Sequence, residues 1–474
     1  MSPRRLRRST RDAMPQFGAA ELRALVLPLL LELALGITVG LIGTALAAGV
    51  SDSAGAGFAL GNHLFGLLFM IFRLVGAGVS VVISQNLGAQ QPQEAQRVAF
   101  AGLAAATWLG LAVAALAFSL AEPLLQLLNA PAEVLPLAVP FLMALAPALL
   151  LDAWTASLAS VMRAHLRNRD TLRVTLLMHG THLLLAWCLM RGVGSWPGLG
   201  LPGFALALAL SRLLGIGLYL WLWRWRLQLR PALRDGWQLR WAQLGPVLYI
   251  GLPGAVENLA WEAAFMVSVA AVGLMGTQAL ATQTYVLQLN MWILISAVAL
   301  GVTVEMVVGR LVGARALHEA HRLVLRAQAL GLSLALLIAV LMALAAPWVL
   351  RLFTDDPGIL RIGQQLMWWA IALETGRTFN LIVIGALRAT GDARYPVVAG
   401  AGSMALVLAG GSWWLGVHLG WGLVGVWIAY AADEWIRGLL MWRRWVRLGW
   451  VPHAREVQRR TRGAVSEGIA SPKA

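Results

Sequence analysis

The sequence predicts an all-α polytopic membrane protein, with twelve transmembrane helices forming two pseudo-symmetric six-helix bundles. The first observation is compositional: 59% of the 474 residues are hydrophobic, only 12% are charged, and the mean hydropathy is +0.72. A soluble protein of this length needs more charge to cover its surface. The second is that apolar runs long enough to cross a bilayer, about 20 residues, recur along the chain. The third is an internal repeat.

The internal repeat relates residues that are 225 positions apart. Pro28 and Glu32 align with Pro253 and Glu257, and no gap is needed from Leu27 to Arg169. Further matches join Gly88 to Gly313, Glu94 to Glu319, Arg97 to Arg322, Arg163 to Arg388 and Arg169 to Arg394. Matched Pro, Glu and Arg at one fixed offset are not expected by chance. The chain is therefore a tandem duplication, a plan that recurs in secondary transporters.

Each copy contains six hydrophobic segments that could span a membrane. Those of the first copy are 22–48, 58–86, 95–121, 132–161, 171–191 and 201–223. Those of the second copy are 243–272, 279–311, 321–346, 358–387, 395–418 and 420–442. Because six is an even number, both copies have the same orientation and are related by an axis along the membrane normal.

The placement of basic residues predicts that both termini lie in the cytoplasm. In this orientation, only Arg191, Arg351 and Arg361 among the 37 basic residues fall on the opposite side, and a few others lie inside spans. The net charge of +15 is thus explained by topology, and no nucleic-acid partner is expected. The expected partners are the lipid bilayer of a bacterial inner (cytoplasmic) membrane, small-molecule substrates, and H+ or Na+. The chain is expected to be a monomer.

The predicted domains follow from these spans and charges. They are a basic cytoplasmic tail (1–21), an N-lobe (22–228), a cytoplasmic linker (229–242), a C-lobe (243–447) and a second basic cytoplasmic tail (448–474). The part of the second tail after Trp450 is polar and is predicted to be disordered.

The sequence lacks the common patterns of ATP hydrolysis and metal catalysis. Its only lysine is Lys473, so a Walker A loop cannot form, and neither CxxC nor HExxH occurs. Asp355 and Asp356 precede Pro357, a pattern that predicts a turn and a helix cap. No cofactor, metal site or enzymatic activity is expected, and an integral-membrane enzyme ranks third among the hypotheses.

Ionisable residues within the spans are candidate functional groups, because a charge at the bilayer centre costs about 2.5–3.5 kcal/mol on insertion scales. Glu257 and Glu262 of span seven and Glu374 of span ten are candidate cation-coupling residues. Arg377 lies three residues after Glu374, so the two are predicted to pair on one helix face. The candidate cavity or substrate residues are Arg377, Asn380, Asn258, Trp261, Gln283 and Asn290.

Three residues of the first copy are candidates for gate or ion pairs, namely Glu32, Arg73 and Asp152. Glu32 and Arg73 are predicted to pair between spans one and two. Asp152 aligns with Arg377 in the repeat, which would allow a salt bridge across the cleft between the lobes. Glu305, near the end of span eight, is predicted to be interfacial.

Several segments, in their order and spacing, resemble the multidrug and toxic compound extrusion (MATE) family of cation-coupled exporters. They are Leu27-Pro28, Gly251-Leu252-Pro253, Asn86-Leu87-Gly88-Ala89, Val308-Gly309, the stretch 352–357, the stretch 385–392 and the stretch 422–427. The resemblance implies a V-shaped pair of six-helix bundles around a central cavity. It also implies export of small amphipathic, often cationic, compounds driven by proton or sodium entry, with coupling carboxylates on spans seven and ten. The alternative in the same superfamily is a flippase for lipid-linked saccharides, which usually needs a cationic cavity.

Overall fold

The computed structural model describes residues 18–128, 130–192, 194–195 and 197–469. Most of the predicted N-terminal tail (1–21) therefore lies outside the described residues. Within these ranges the chain forms helices and no β-strand.

Helices occur at all the predicted spans. The first copy forms α1 Ala19–Ala48, α2 Asp52–Gly88, α3 Pro92–Ser119, a short α4 Ala121–Leu127, α5 Leu135–Ala164, α6 Asn168–Arg191 and α7 Leu201–Leu222. The second copy forms α8 Trp241–Gly273, α9 Thr277–Gly313, α10 Leu317–Val349, α11 Pro357–Ala389, α12 Arg394–Ser403 and α13 Gly422–Val446, followed by a C-terminal helix, α14 Val451–Ile469. Helix α12 continues as π-helical turns to His418.

Eleven helical segments of the described chain are long and apolar enough to cross a membrane. The twelfth predicted span is α13, which carries Asp433, Glu434 and Arg437 and is therefore less apolar. Arg437 forms ion pairs with both acids, which makes burial of these charges in a membrane helix feasible.

The start of α11 is fixed by the predicted cap. Asp356 Oδ1 accepts hydrogen bonds from the backbone N–H groups of Gly358 (2.7 Å) and Ile359 (3.1 Å). These donors favour the ionised carboxylate and hold the pKa of Asp356 below its usual range. The acidic Asp355-Asp356 pair therefore forms a turn and a cap, as predicted from the following proline.

The helices of each copy pack mainly with one another. In the first lobe α5 contacts α2, α3 and α7, and in the second lobe the repeat-related α11 contacts α9, α10 and α13. The lobes meet where α2 contacts α8 and α9, and where α9 contacts α1. The α2–α8 and α9–α1 contacts are equivalent under the repeat, so the duplication appears in space as a pseudo-two-fold arrangement.

Backbones of the two lobes touch where α2 and α9 end. A Cβ atom on Gly88 would clash with the carbonyl oxygen of Arg310, and a Cβ atom on Gly313 would clash with that of Gln85. The repeat relates Gly88 to Gly313 and Gln85 to Arg310, so the two contacts are copies of each other. Glycine is needed here because any side chain would separate the backbones. We call this contact the glycine crossing.

Side chains next to the glycine crossing repeat the same symmetry. Gln85 Nε2 donates a hydrogen bond to the carbonyl of Ala389 (2.9 Å), and the Arg310 guanidinium donates one to the carbonyl of Ala164 (3.2 Å). Donors and acceptors are again related by the offset of 225 residues. Each lobe therefore binds the other through equivalent hydrogen bonds, and the cleft between them is closed at this end.

The prediction of disorder after Trp450 was wrong, because this segment forms α14. Ala454 and Val457 are buried in the core of the second lobe. Gln458 Nε2 donates to the carbonyl of Val312 (3.0 Å), and Arg460 donates to Gln85 Oε1 of the first lobe (3.1 Å). The helix thus contacts both lobes beside the glycine crossing. Its apolar residues recur every three or four positions, a pattern that the basic composition conceals.

Candidate functional site

A cavity of about 560 Å³ is lined by residues of both lobes. Its charged lining residues are Glu32, Arg73, Asp152, Arg163, Arg212, Glu305 and Arg388. Much of the remaining wall is apolar and includes Leu33, Phe69 and Met70. A wall of this kind suits a small organic molecule with an apolar body and a few polar groups.

One glutamate–arginine ion pair occurs in each lobe at repeat-related positions. The Arg163 guanidinium is 3.0 Å from Glu32 Oε1, and the Arg388 guanidinium is 2.6 Å from Glu257 Oε2. The predicted pairing of Glu32 with Arg73 is therefore wrong, since Arg163 of α5 is the partner. The sequence contained the necessary signal, because both residues of each pair recur at the offset of 225.

A second pair in the first lobe joins Asp152 of α5 to Arg212 of α7. This pairing overturns the predicted salt bridge between Asp152 and Arg377 across the cleft. Arg377 instead lies in the second lobe, where its Nε atom is 3.2 Å from Glu434 Oε1. The two residues occupy equivalent places, but each is paired within its own lobe.

The final helices of the two copies show that this second pair is also duplicated, with its charges exchanged. Aligning Gly200-Leu201 and Trp223 with Gly422-Leu423 and Trp445 places Arg212 opposite Glu434. An acid on α5 pairs with a base on α7 in the first lobe, and a base on α11 pairs with an acid on α13 in the second. The two ion pairs therefore join equivalent helices, but the acid and the base have exchanged places.

The second lobe holds a larger buried cluster between α11 and α13. Arg377 is 2.7 Å from Glu374 Oε1, which confirms the predicted pair. Arg437 is 2.7 Å from Asp433 Oδ2 and 2.9 Å from Glu434 Oε1. The cluster therefore contains three carboxylates and two guanidinium groups. If all five groups are ionised, one negative charge is left uncompensated.

The oxygen with the fewest partners in this cluster belongs to Glu374. The side chain of Glu374 has no exposed surface, and its Oε2 atom is buried without a hydrogen-bond partner. Glu434 is better satisfied, because Asn380 also donates to its Oε2 atom (3.0 Å). Among the described residues, neither Glu374, Arg377 nor Asn380 is part of the cavity wall. They form a separate site inside the second lobe.

The other predicted cavity residues are dispersed. Asn258 lines the cavity, whereas Gln283 donates to the Tyr430 hydroxyl (2.9 Å) inside the second lobe. Asn290 is buried in α9, and both polar atoms of its amide lack hydrogen-bond partners. Trp261 stacks on a phenylalanine of its own helix. Only Asn258 of this set is therefore placed to contact a molecule in the cavity.

Two further acids, Glu262 and Glu305, lie in different surroundings. Glu262 of α8 is half-buried, and no arginine, lysine or histidine of the described chain lies within 4.0 Å of its carboxylate. Glu305 is only 7% exposed and lines the cavity, near the end of the 37-residue helix α9.

Both copies of the repeat match a known family. The MatE sequence profile matches residues 28–188 and 253–414, one segment in each copy. The chain belongs to the MatE family. "Uncharacterized transporter YisQ" of Bacillus subtilis is 30% identical over 444 residues, which cover 94% of this chain and 98% of that protein. "Probable multidrug resistance protein NorM" of Thermotoga maritima is 24% identical over 433 residues, covering 89% and 90%.

Solved MatE-family structures have the same fold. "Outward-facing conformation of a multidrug resistance MATE family transporter of the MOP superfamily" aligns with a TM-score of 0.83 and 18% identity, covering 92% of this chain and 96% of that one. The predicted V-shaped pair of six-helix bundles is confirmed. The chain is a multi-pass membrane transporter that acts on small molecules, and it is not an enzyme.

Proposed function

We propose that this MatE-family transporter is a secondary antiporter that exports small amphipathic, often cationic, organic compounds in exchange for protons or sodium ions. The observation that carries the proposal is the buried cluster around Glu374, which has one carboxylate more than it has guanidinium groups. An uncompensated buried charge is costly, so a proton or a sodium ion is favoured there. Coupling then takes place inside the second lobe, while the substrate occupies the cavity between the lobes.

The charges of the cavity favour export of amphipathic compounds over lipid-linked saccharide flipping. Arg163, Arg212 and Arg388 line the cavity, but each is bound to a carboxylate of its own lobe. Of the cavity arginines only Arg73 has no carboxylate of the described chain within 4.0 Å, so a pyrophosphate would have to displace a carboxylate to bind any of the other three. The flippase hypothesis therefore ranks below export.

We place the transporter in a bacterial inner membrane with both termini in the cytoplasm, and we expect a monomer because one chain supplies both lobes. In this orientation the glycine crossing is at the cytoplasmic end, so the lobes are closed toward the cytoplasm. Binding of substrate from the cytoplasm would then require the crossing to part. The support is the distribution of arginines, which are concentrated on one side.

Cysteine labelling tests this topology. Single cysteines at Arg169 or Arg234, with Cys188 replaced by serine, are expected to resist an impermeant thiol reagent added to intact cells. A cysteine at the exposed Arg351, in a loop assigned to the outside, is the matched control and should react. Rapid labelling at Arg169 or Arg234, with Arg351 protected, would reverse the orientation.

Transport in proteoliposomes tests the antiport mechanism. Purified protein is reconstituted, and uptake or counterflow of a panel of dyes and flavins is measured under separate proton and sodium gradients. One gradient is expected to drive uphill substrate movement, and removing it should leave only exchange. Equal substrate accumulation with and without both gradients would exclude cation coupling.

A further inference from the structure

Two cavity positions break the symmetry of the duplicated lobes. Arg73 of α2 aligns with Val298 of α9, and Ser80 of α2 aligns with Glu305 of α9. All four residues line the cavity. The ion pairs described above recur in both lobes, which fits a shared structural role. A charge that occurs in one copy only is not explained by that role.

Arg73 is the arginine of the cavity wall that lacks an acidic partner. Its side chain is exposed and lines the cavity. No carboxylate of the described chain is within 4.0 Å of it. Its electrostatic neighbours are Glu32 and Arg163, and these two bind each other. The guanidinium of Arg73 is therefore free to bind an acidic group of a molecule in the cavity.

Glu305, on the facing lobe, is an acidic residue with an unpartnered carboxylate oxygen. Its Oε1 atom is buried and accepts no hydrogen bond from the described residues. Its electrostatic neighbours are Arg388 and Glu257, which already form a 2.6 Å pair with each other. The hydroxyl of Ser80, at the equivalent position of the first lobe, is likewise buried without a partner. A basic group placed between these two side chains would satisfy both of them.

The two charges are separated along the cavity. Arg73 and Ser80 are seven residues apart on α2, which is about 10 Å along a helix axis. Val298 and Glu305 have the same spacing on α9, and α2 packs against α9. A molecule held between these helices meets a positive group on one wall and, about two turns nearer the glycine crossing, a negative group on the other. Phe69 and Met70 supply apolar surface beside Arg73.

We propose that the cavity binds amphipathic zwitterions, with the acidic group on Arg73 and the basic group on Glu305. The proposal rests on the export function proposed above and names its substrate class. It differs from a site for simple organic cations, in which Arg73 would repel the ligand. It also differs from a site for organic anions, which would leave Glu305 without a partner.

A matched pair of dyes tests the Arg73 half of the proposal. The first dye is a rhodamine free acid, which is zwitterionic at neutral pH. The second is its methyl ester, a cation with the same ring system. Each dye is titrated with detergent-purified protein, and binding is followed by fluorescence anisotropy. The wild type is expected to bind the free acid more tightly than the ester. Arg73→Gln should weaken binding of the free acid on the order of ten- to a hundredfold and leave the ester nearly unchanged. Arg73→Lys, which keeps the charge, should retain most of the preference.

Two further variants complete the design. Glu305→Gln should weaken binding of both dyes by a similar factor, because both carry the cationic ring. Arg361→Gln removes an exposed arginine of α11 outside the cavity and should change neither affinity. Melting temperatures confirm that each variant is folded before its affinity is compared.

Three results would overturn the proposal. The first is a wild type that binds neither dye or does not prefer the free acid. The others are equal weakening of the binding of both dyes by Arg73→Gln, and wild-type binding of both dyes by Glu305→Gln. Binding is measured without a gradient, so its outcome is independent of coupling. A transporter that fails the proteoliposome test but shows this binding pattern would refute antiport and keep the zwitterion site.

Discussion

Glu374→Gln is expected to reduce gradient-driven export to the background of empty liposomes while the protein remains folded. Glutamine keeps the size of the side chain but cannot bind and release a cation as a carboxylate does. It also leaves two carboxylates against two guanidinium groups, so the buried cluster loses its uncompensated charge and should not be destabilised. Uphill transport in proteoliposomes, normalised to reconstituted protein, is the measurement.

The control for this experiment is Glu319→Gln, which removes an exposed carboxylate at the start of α10 and should transport normally. Substrate affinity in detergent should be close to wild type for both variants, because Glu374 is not in the cavity wall. Full gradient-driven export by Glu374→Gln would remove this residue from the coupling mechanism. Loss of folding would instead assign it a packing role.

Arg388→Met is expected to lower the free energy of unfolding by about 3–5 kcal/mol, because it leaves a buried carboxylate without its partner. Glu257 would lose its 2.6 Å ion pair, and Glu305 would lose its nearest positive charge. The double variant Glu257→Met with Arg388→Met should recover much of the loss, since it removes both charges. Denaturant unfolding in a single detergent measures these differences.

The equivalent change in the first lobe should be milder. Arg163→Met leaves Glu32 without its partner, but Arg73 remains close enough to interact with Glu32. The second lobe has Val298 at that position and therefore has no substitute charge. Equal destabilisation by Arg163→Met and Arg388→Met would contradict this account of Arg73.

The fold class and the helices were predictable because burial in lipid demands long apolar runs and because the duplication is visible at a fixed offset. The Glu374–Arg377 pair was predictable for a related reason: residues three apart on a helix face the same way whatever surrounds them. The cap at Asp356 is equally local. Predictions of this kind depend on a few neighbouring residues, and the structure bears them out.

Pairs between helices were harder to predict, because spacing along the chain does not say which helices are neighbours. The sequence predicts a pair between Glu32 and Arg73 of the adjacent span, although the partner of Glu32 is Arg163, three spans later. The repeat held the missing information, since Glu32 and Arg163 both recur in the second copy. That Glu305 lines the cavity could not be read from α9 alone, because the sequence of one helix does not show which of its faces borders the space between the lobes.

The duplicated glycine crossing has a consequence for the history of the chain. Two identical six-helix polypeptides that met through this contact would form a symmetric dimer, in which every contact occurs twice and equivalent positions carry the same residue. Such an ancestor could not place arginine at one position and valine at the related one, or serine opposite glutamate. Duplication of the gene ended that constraint and let the two halves mutate independently. The differences between Arg73 and Val298 and between Ser80 and Glu305 therefore arose after the duplication, whereas the matching glycines and ion pairs fit a common origin.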